Sequence, residues 1–337
     1  MSTVPPAPAA DATRTMWRVA KHEGVGNVVL EQVPVPEPGP GQVLARTQAS
    51  LISRGSELWR RYELAGAVDP GIMGYSTTGI VELTGDEVSS VKPGDRVAVT
   101  APHAEYALQP LCDRSGLPRV FPLDEQVSFE TGTFHPLATS SYGWVQAARI
   151  EPDDRVVVLG QGIVGNLVMQ FALRRRPRQL IAVDALELRC RLAREVGAPE
   201  VINAAAEDPV ATVKRLTDGK GASIVIDCVG GRAGLKSFAQ AQELLAPGGL
   251  LQLIGLYHGE PLPLDASKMM GQRLLGSYPP ETDRAAIGRE AMEALGSGEV
   301  SVAPLITHRF PGSRAKEAFD LLYAHPDEAM GVLLLWT

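Results

Sequence analysis

Gly160-Gln161-Gly162-Ile163-Val164-Gly165 is the stretch that decides the fold, because of what flanks it. It follows Arg155-Val156-Val157-Val158-Leu159, a short apolar run that reads as a buried parallel strand. It opens Asn166-Leu167-Val168-Met169-Gln170-Phe171-Ala172-Leu173, which reads as a helix, and a second apolar run, Leu180-Ile181-Ala182-Val183, ends on Asp184. Strand, glycine turn, helix, strand and acid in this order form a dinucleotide-binding unit. The first glycine permits the tight turn, the second lets backbone approach a pyrophosphate, and the third lets helix and strand pack closely. Gly160, Gly162, Ile163, Val164 and Gly165 are therefore expected to hold a cofactor, with the phosphates at the helix N-terminus.

Asp184 narrows the choice of cofactor. A carboxylate at the end of the second strand accepts from the ribose hydroxyls of NAD and repels the 2′-phosphate of NADP. The same Asp can cap the turn into the helix that starts near Leu186, and Arg189 and Arg191 nearby soften the preference. NAD is expected over NADP.

The rest of the chain organises around this unit. From about Thr139, strands and helices alternate: Val201–Asn203, Ser223–Asp227 and Leu250–Ile254 follow the two strands above, giving a doubly wound parallel sheet. Cys228, Val229 and Gly230, then Gly255 and Leu256, follow carboxyl ends of those strands, the edge where such sheets hold ligands. From Trp17 to about Pro136, short alternating runs such as Val28–Val33, Gln42–Thr47, Thr78–Leu83 and Arg96–Thr100 are separated by Gly/Pro turns and suggest a barrel-like β domain. Ile306–Phe310 through Gly331–Leu335 returns to strand, helix and strand. The expected division is a tail at 1–13, a β-rich catalytic domain from 14–138 and 292–337, and a cofactor domain at 139–291.

Composition excludes several classes. The 337 residues suit two domains, and the net charge of −7 argues against a nucleic-acid surface. The basic run Arg174-Arg175-Arg176-Pro177-Arg178 reads as solvated cations at a helix C-terminus. No apolar run approaches the roughly 18 residues needed to span a bilayer. Residues 1–13 lack the apolar core of a signal peptide and read as a disordered tail. Three scattered cysteines, Cys112, Cys190 and Cys228, suggest a reduced, cytoplasmic protein.

The chain resembles the medium-chain dehydrogenase/reductase superfamily over nearly its whole length. The resemblance rests on Pro40-Gly41-Gln42-Val43-Leu44, Lys92–Val97, the Gly160–Gly165 turn with Asp184, Ala198–Asn203 and Pro304–Phe310. It implies an α/β protein with a GroES-like catalytic domain wrapped around a Rossmann domain, hydride chemistry in the cleft between them, and a homodimer or homotetramer. Ser50–Glu57, Gly74–Gly79 and His103–Tyr106 are similar to a smaller branch of bacteriochlorophyllide dehydrogenase-like and secondary-metabolite tailoring enzymes.

Zinc-dependent members of the superfamily carry a Cys, a Gly-His-Glu motif and a third ligand. By the resemblance these positions fall here on Ser53, on Gly74-Tyr75-Ser76 and on His135. Ser and Tyr are poor zinc ligands, and the four-cysteine structural lobe is missing, so no metal is expected. The reserve reading is a rebuilt site using His135 and His103 with Glu57 or Glu105.

Without zinc, protein donors must stabilise the developing oxyanion. The candidates are Ser53, Tyr75 and His135. Tyr75 is either a phenol donor or a filler of the metal's volume; His135 is either an acid or base near neutral pH or a partner of backbone at the domain junction. Glu57, Trp59 and His103 are candidates for the substrate pocket, though Glu57 also suits orienting a donor or capping a helix, Trp59 core packing, and His103 a solvated or structural place in a loop entering a strand. Thr139 is placed beside the nicotinamide ribose. The expected activity is alcohol/ketone interconversion on a small or mid-sized metabolite, with enone or quinone reduction as the alternative and a silent nucleotide-binding protein as a third possibility.

Overall fold

The computed structural model describes residues 14–255, 261–277 and 283–336. The expected tail at 1–13 and the expected cofactor contact Leu256 lie outside the described residues.

The N-terminal part is built from β1 (Thr15–Lys21), β2 (Val28–Pro34), β3 (Gln42–Ile52), β4 (Thr77–Thr84), β5 (Arg96–Val99), β6 (Tyr106–Pro110) and β7 (Val120–Pro122). Strands β1 and β2 form an antiparallel ribbon. The others join the C-terminal strands β14 (Ile306–Pro311) and β15 (Gly331–Leu335) in a seven-stranded sheet ordered β14-β15-β3-β4-β5-β7, with β6 also pairing β3. The chain therefore returns to this sheet after leaving it. Val43, Ala45, Val81, Val97, Val99 and Ala107 fill the space the sheet curls around.

Strand β3 decides the site geometry. It pairs antiparallel with β4, Ser50 opposite Thr77, and Leu51 N–H donates to Ser76 O at 2.9 Å. That register carries the end of β3 past the start of β4, so Ser53 and Tyr75 meet across the ladder although 22 residues apart.

The second sheet holds β8 (Arg155–Leu159), β9 (Gln179–Asp184), β10 (Glu200–Asn203), β11 (Ala222–Asp227), β12 (Leu245–Leu253) and β13 (Arg273–Gly276). All its pairs are parallel and its order is β10-β9-β8-β11-β12-β13. This is the doubly wound arrangement expected from the sequence, and the strand order reverses between β8 and β11. The inner strands are apolar on both faces because helices cover both.

The helices are α1 (Phe129–Gly132), α2 (His135–Ala148), α3 (Ile163–Arg174), α4 (Glu187–Glu195), α5 (Pro209–Leu216), α6 (Gly234–Leu244), α7 (Ala266–Met269), α8 (Arg284–Gly296) and α9 (Ala315–Ala324). Helix α2 packs on both α3 and α8. One buried cluster runs from Val156 and Val158 of β8 through Leu167, Phe171, Ala138 and Ala291 to Leu51 and Leu333 of the other sheet. The expected divides at 138/139 and 291/292 thus fall inside α2 and α8, the helices that carry this shared core.

Candidate active site

A cleft of about 910 Å³ opens at the carboxyl ends of the parallel strands and reaches the end of β3. Its floor is the glycine turn. Gly160 has φ +83°, where an L side chain is strained, and a Cβ there would meet Val229 at 2.8 Å. A Cβ at Gly165 would lie 2.8 Å from the Gly160 carbonyl carbon and 3.2 Å from Cys228 Cβ. At Gly162 the nearest atom to a Cβ would be Arg189 Nη1 at 4.0 Å, so backbone there faces open cleft. Gly162 also starts α3, and no side chain caps that helix end. The uncapped N–H groups and dipole suit an anionic ligand.

Asp184 is buried at the end of β9. Its Oδ2 accepts Gln161 N–H at 2.6 Å and its Oδ1 accepts Leu186 N–H at 2.9 Å. Arg189 Nη1 lies 3.5 Å from Oδ2. The carboxylate thus ties the glycine turn to the start of α4 and lines the cleft as well. Cys228, Val229, Gly230 and Gly255 line it too, as do Ile163 and Val164. Burial raises the Cys228 thiol well above its ordinary range, so it faces the cleft as a neutral group. Arg54, at the start of a wide i→i+5 helical stretch (Arg54–Tyr62), also lines the cleft and donates to Leu322 O. Burial, helped by the neighbouring Arg189 cation, lowers its guanidinium to about 10. The open backbone at Gly162, the uncapped helix and these two cations together fit a dinucleotide with its pyrophosphate at the turn.

Across the cleft, Tyr75 donates to Ser53 Oγ at 2.6 Å, with Ser56 Oγ 3.5 Å away. Burial, followed by the negative charge of Glu57, raises the Tyr75 phenol. It therefore keeps its proton across neutral pH and is a donor there.

His135 lines the same cleft, at the start of α2, and has the backbone partner that was the alternative to an acid/base role. Burial lowers it to about 4, and its Nε2–H donates to Gly288 O of α8 at 3.0 Å. The Phe121 ring packs edge-on at 4.2 Å. A neutral imidazole bonded to backbone braces that wall of the cleft. Thr139 also lines the cleft, one turn along α2 and not at its start; its hydroxyl donates to His135 O at 2.8 Å.

The substrate-pocket expectations divide. Trp59 lines the cleft and packs across it, its Cε2 standing 2.9 Å from where a Cβ on Gly231 would sit. Glu57 and His103 do not line the cleft. Both are fully buried beneath it, His103 Nε2 lying 2.8 Å from Glu57 Oε2. The rebuilt metal site fails on the same geometry: His103 and Glu57 face each other, His135 faces Gly288, and Glu105 accepts Trp17 N–H at 2.7 Å. Among the described residues no three His, Cys, Asp or Glu side chains gather as metal ligands. Two hydroxyls and a committed imidazole do not fit zinc.

Sequence reasoning missed Arg54, Phe121, Arg232 and Lys236, all of which line the cleft. Arg54 alone carried a signal, as a cation immediately after the last turn of an apolar strand. Among the described residues no helix is long and apolar enough to cross a membrane.

The fold and cleft define a two-part dehydrogenase with a Rossmann cofactor site. Residues 39–159 match the alcohol dehydrogenase GroES-like domain and residues 164–289 the zinc-binding dehydrogenase family. Sorbitol dehydrogenase of Pongo abelii is 30% identical over 335 residues, spanning 88% of this chain and 90% of its own. The Homo sapiens sorbitol dehydrogenase is 29% identical with the same coverage. An Escherichia coli oxidoreductase/dehydrogenase of unknown specificity superposes with a TM-score of 0.83 at 21% identity, over 96% of this chain and 99% of that one. The chain belongs to the medium-chain dehydrogenase/reductase superfamily and is an oxidoreductase.

Proposed function

We propose that this protein is an NAD(H)-dependent oxidoreductase that interconverts an alcohol and a ketone on a small or mid-sized metabolite without a catalytic zinc. The observation that carries the reading is the Tyr75–Ser53 hydroxyl pair, 2.6 Å apart in residues that line the same cleft as the glycine turn. The similarity to sorbitol dehydrogenases supports a hydroxylated substrate.

The bound nicotinamide supplies or accepts the hydride. The chain's own residues do the rest. The neutral Tyr75 phenol donates to the substrate oxygen as negative charge develops on it, in place of a Lewis acid. Ser53 Oγ accepts from the phenol in the resting site, and once the phenol turns its proton to the substrate oxygen the Ser53 hydroxyl can donate to the phenol oxygen in return. A positioned donor of this kind contributes on the order of 10²–10³ in rate. Asp184 supports NAD over NADP, since its charge sits where a 2′-phosphate would add a second anion, although Arg189 offsets part of that charge. Neutral His135 and Phe121 form the wall that Gly288 braces.

A panel of polyols and secondary alcohols, followed by NADH absorbance with protein stripped by chelator, tests the reading. Turnover that persists in the stripped protein and falls at least tenfold in Tyr75→Phe supports it. Turnover indifferent to Tyr75→Phe would remove the phenol from the chemistry.

A further inference from the structure

Beneath the cleft lies a buried polar cluster of Glu57, His103, Ser50 and Trp336. Glu57 Oε1 accepts Ser53 N–H at 3.1 Å, while its Oε2 faces His103 Nε2 at 2.8 Å. On its other side, His103 Nδ1 lies 2.8 Å from Ser50 Oγ. Trp336 Nε1–H donates to that same Oγ at 3.0 Å, so the Ser50 hydroxyl can donate to Nδ1 while His103 Nε2–H donates to Glu57. Every polar atom along this line is satisfied by one proton arrangement.

His103 also holds the second segment. Its own N–H donates to Met73 O at 2.7 Å, and its ring fills the space beside Gly74, where a Cβ would come within 2.9 Å of Cγ and Cδ2. The Phe319 ring closes the far side at 6.0 Å. His103 therefore touches both pieces of chain that present the hydroxyl pair: its ring reaches Ser53 through Glu57 and packs on Gly74 beside Tyr75, and its backbone N–H holds Met73. Burying a carboxylate and an imidazole costs several kcal/mol before pairing, and two apolar side chains of equal volume would stabilise the fold at least as well. Such a network is retained where geometry matters more than stability.

We propose that Glu57 and His103 are positioning residues that fix where the Tyr75 and Ser53 hydroxyls meet the substrate oxygen, a role that rests on the reading of that pair given above. The charged groups that act on the Tyr75 phenol are Glu57 and Arg61, with the hydroxyls of Ser53 and Ser56 beside it. Glu57→Gln preserves the shape and the acceptor for Ser53 N–H while removing the charge that raises the phenol. His103→Gln keeps an N–H for Glu57 and loses the ring against Gly74.

The test uses protein labelled with [¹³Cζ]tyrosine, the Tyr75 signal being assigned by its loss in Tyr75→Phe. Titration of that signal is read beside kcat, KM and the NADH dissociation constant. In Glu57→Gln, Tyr75 should titrate at lower pH than in the wild type, kcat should fall at least tenfold, and NADH affinity should stay within twofold. His103→Gln should move the Tyr75 signal and lower kcat in the same way, which keeps the test alive should one variant fold poorly. A Tyr75 titration and a kcat that match the wild type in both variants would overturn the proposal. A Tyr75 signal that moves while Tyr75→Phe keeps full turnover would support the positioning and overturn the catalytic role of the phenol.

Discussion

Two alanine substitutions in the glycine turn should have opposite consequences, although they lie three residues apart. At Gly165 an added Cβ would lie 2.8 Å from the Gly160 carbonyl carbon, and both partners are backbone. Neither can swing aside, so α3 must move off β8. Overpacking of this kind costs about 1–3 kcal/mol or more, and rigid backbone puts the cost at the upper end. At Gly162 the backbone has φ −63° and ψ −178°, which alanine adopts freely. Reducing the freedom of the unfolded chain contributes about 0.4–1 kcal/mol, and replacing glycine at a helix N-cap costs a similar amount, so stability should change by less than about 1 kcal/mol. The new methyl group projects into open cleft, where the pyrophosphate would approach. A tenfold weaker cofactor corresponds to about 1.4 kcal/mol. With NADH at a hundred times its dissociation constant, the wild type gains about 2.7 kcal/mol of stability, and Gly162→Ala should gain about half of that. Thermal melts with and without NADH, together with calorimetric titration, read both quantities. Gly165→Ala should melt several degrees lower without ligand; Gly162→Ala should melt like the wild type alone and lose roughly half of the NADH-induced rise. Undiminished NADH affinity in Gly162→Ala would refute the placement of the pyrophosphate.

Two further outcomes follow from the site. Asp184→Ser should weaken NAD more than NADP, and an unchanged ratio of the two dissociation constants would show that this carboxylate does not read the ribose. His135 has a folded value of about 4 against an ordinary 6.5, so below pH 6.5 the unfolded chain binds the extra proton first and stability falls as pH drops toward 4. That difference amounts to about 3 kcal/mol by pH 4. His135→Gln, whose amide can still donate to Gly288 O, should flatten this part of the stability curve measured by urea unfolding; an equal slope in both proteins would show that His135 titrates normally.

The parallel sheet was legible because its strands are buried on both faces and read as apolar runs, with the glycine turn fixing their order. The return of β14 and β15 was legible as a strand–helix–strand pattern, though not the sheet they join. Strands β1, β6, β7 and β13 were not recognised; β7 and β13 are short, and β13 is exposed along most of its length. The cleft-lining residues Gly160, Asp184, Cys228 and Gly255 were readable because each lies at or just after a strand end. For the histidines both a chemical and a structural role were readable, but not the partners that decide between them: His135 bonds Gly288, 153 residues away, and His103 meets Glu57, 46 residues away. Nothing local in either segment encodes those partners. Ser53 and Tyr75 were found through the resemblance, while their direct bond comes from the β3–β4 register.

The central claim is that Tyr75 does the work of a metal. The direct measurement is turnover against metal content, determined by mass spectrometry on the same chelator-treated samples, for wild type and Tyr75→Phe. The wild type should turn over fully with far less than one zinc per chain, and Tyr75→Phe should lose about 10²-fold or more at every zinc level. Activity that rises in proportion to bound zinc, and survives Tyr75→Phe, would contradict it.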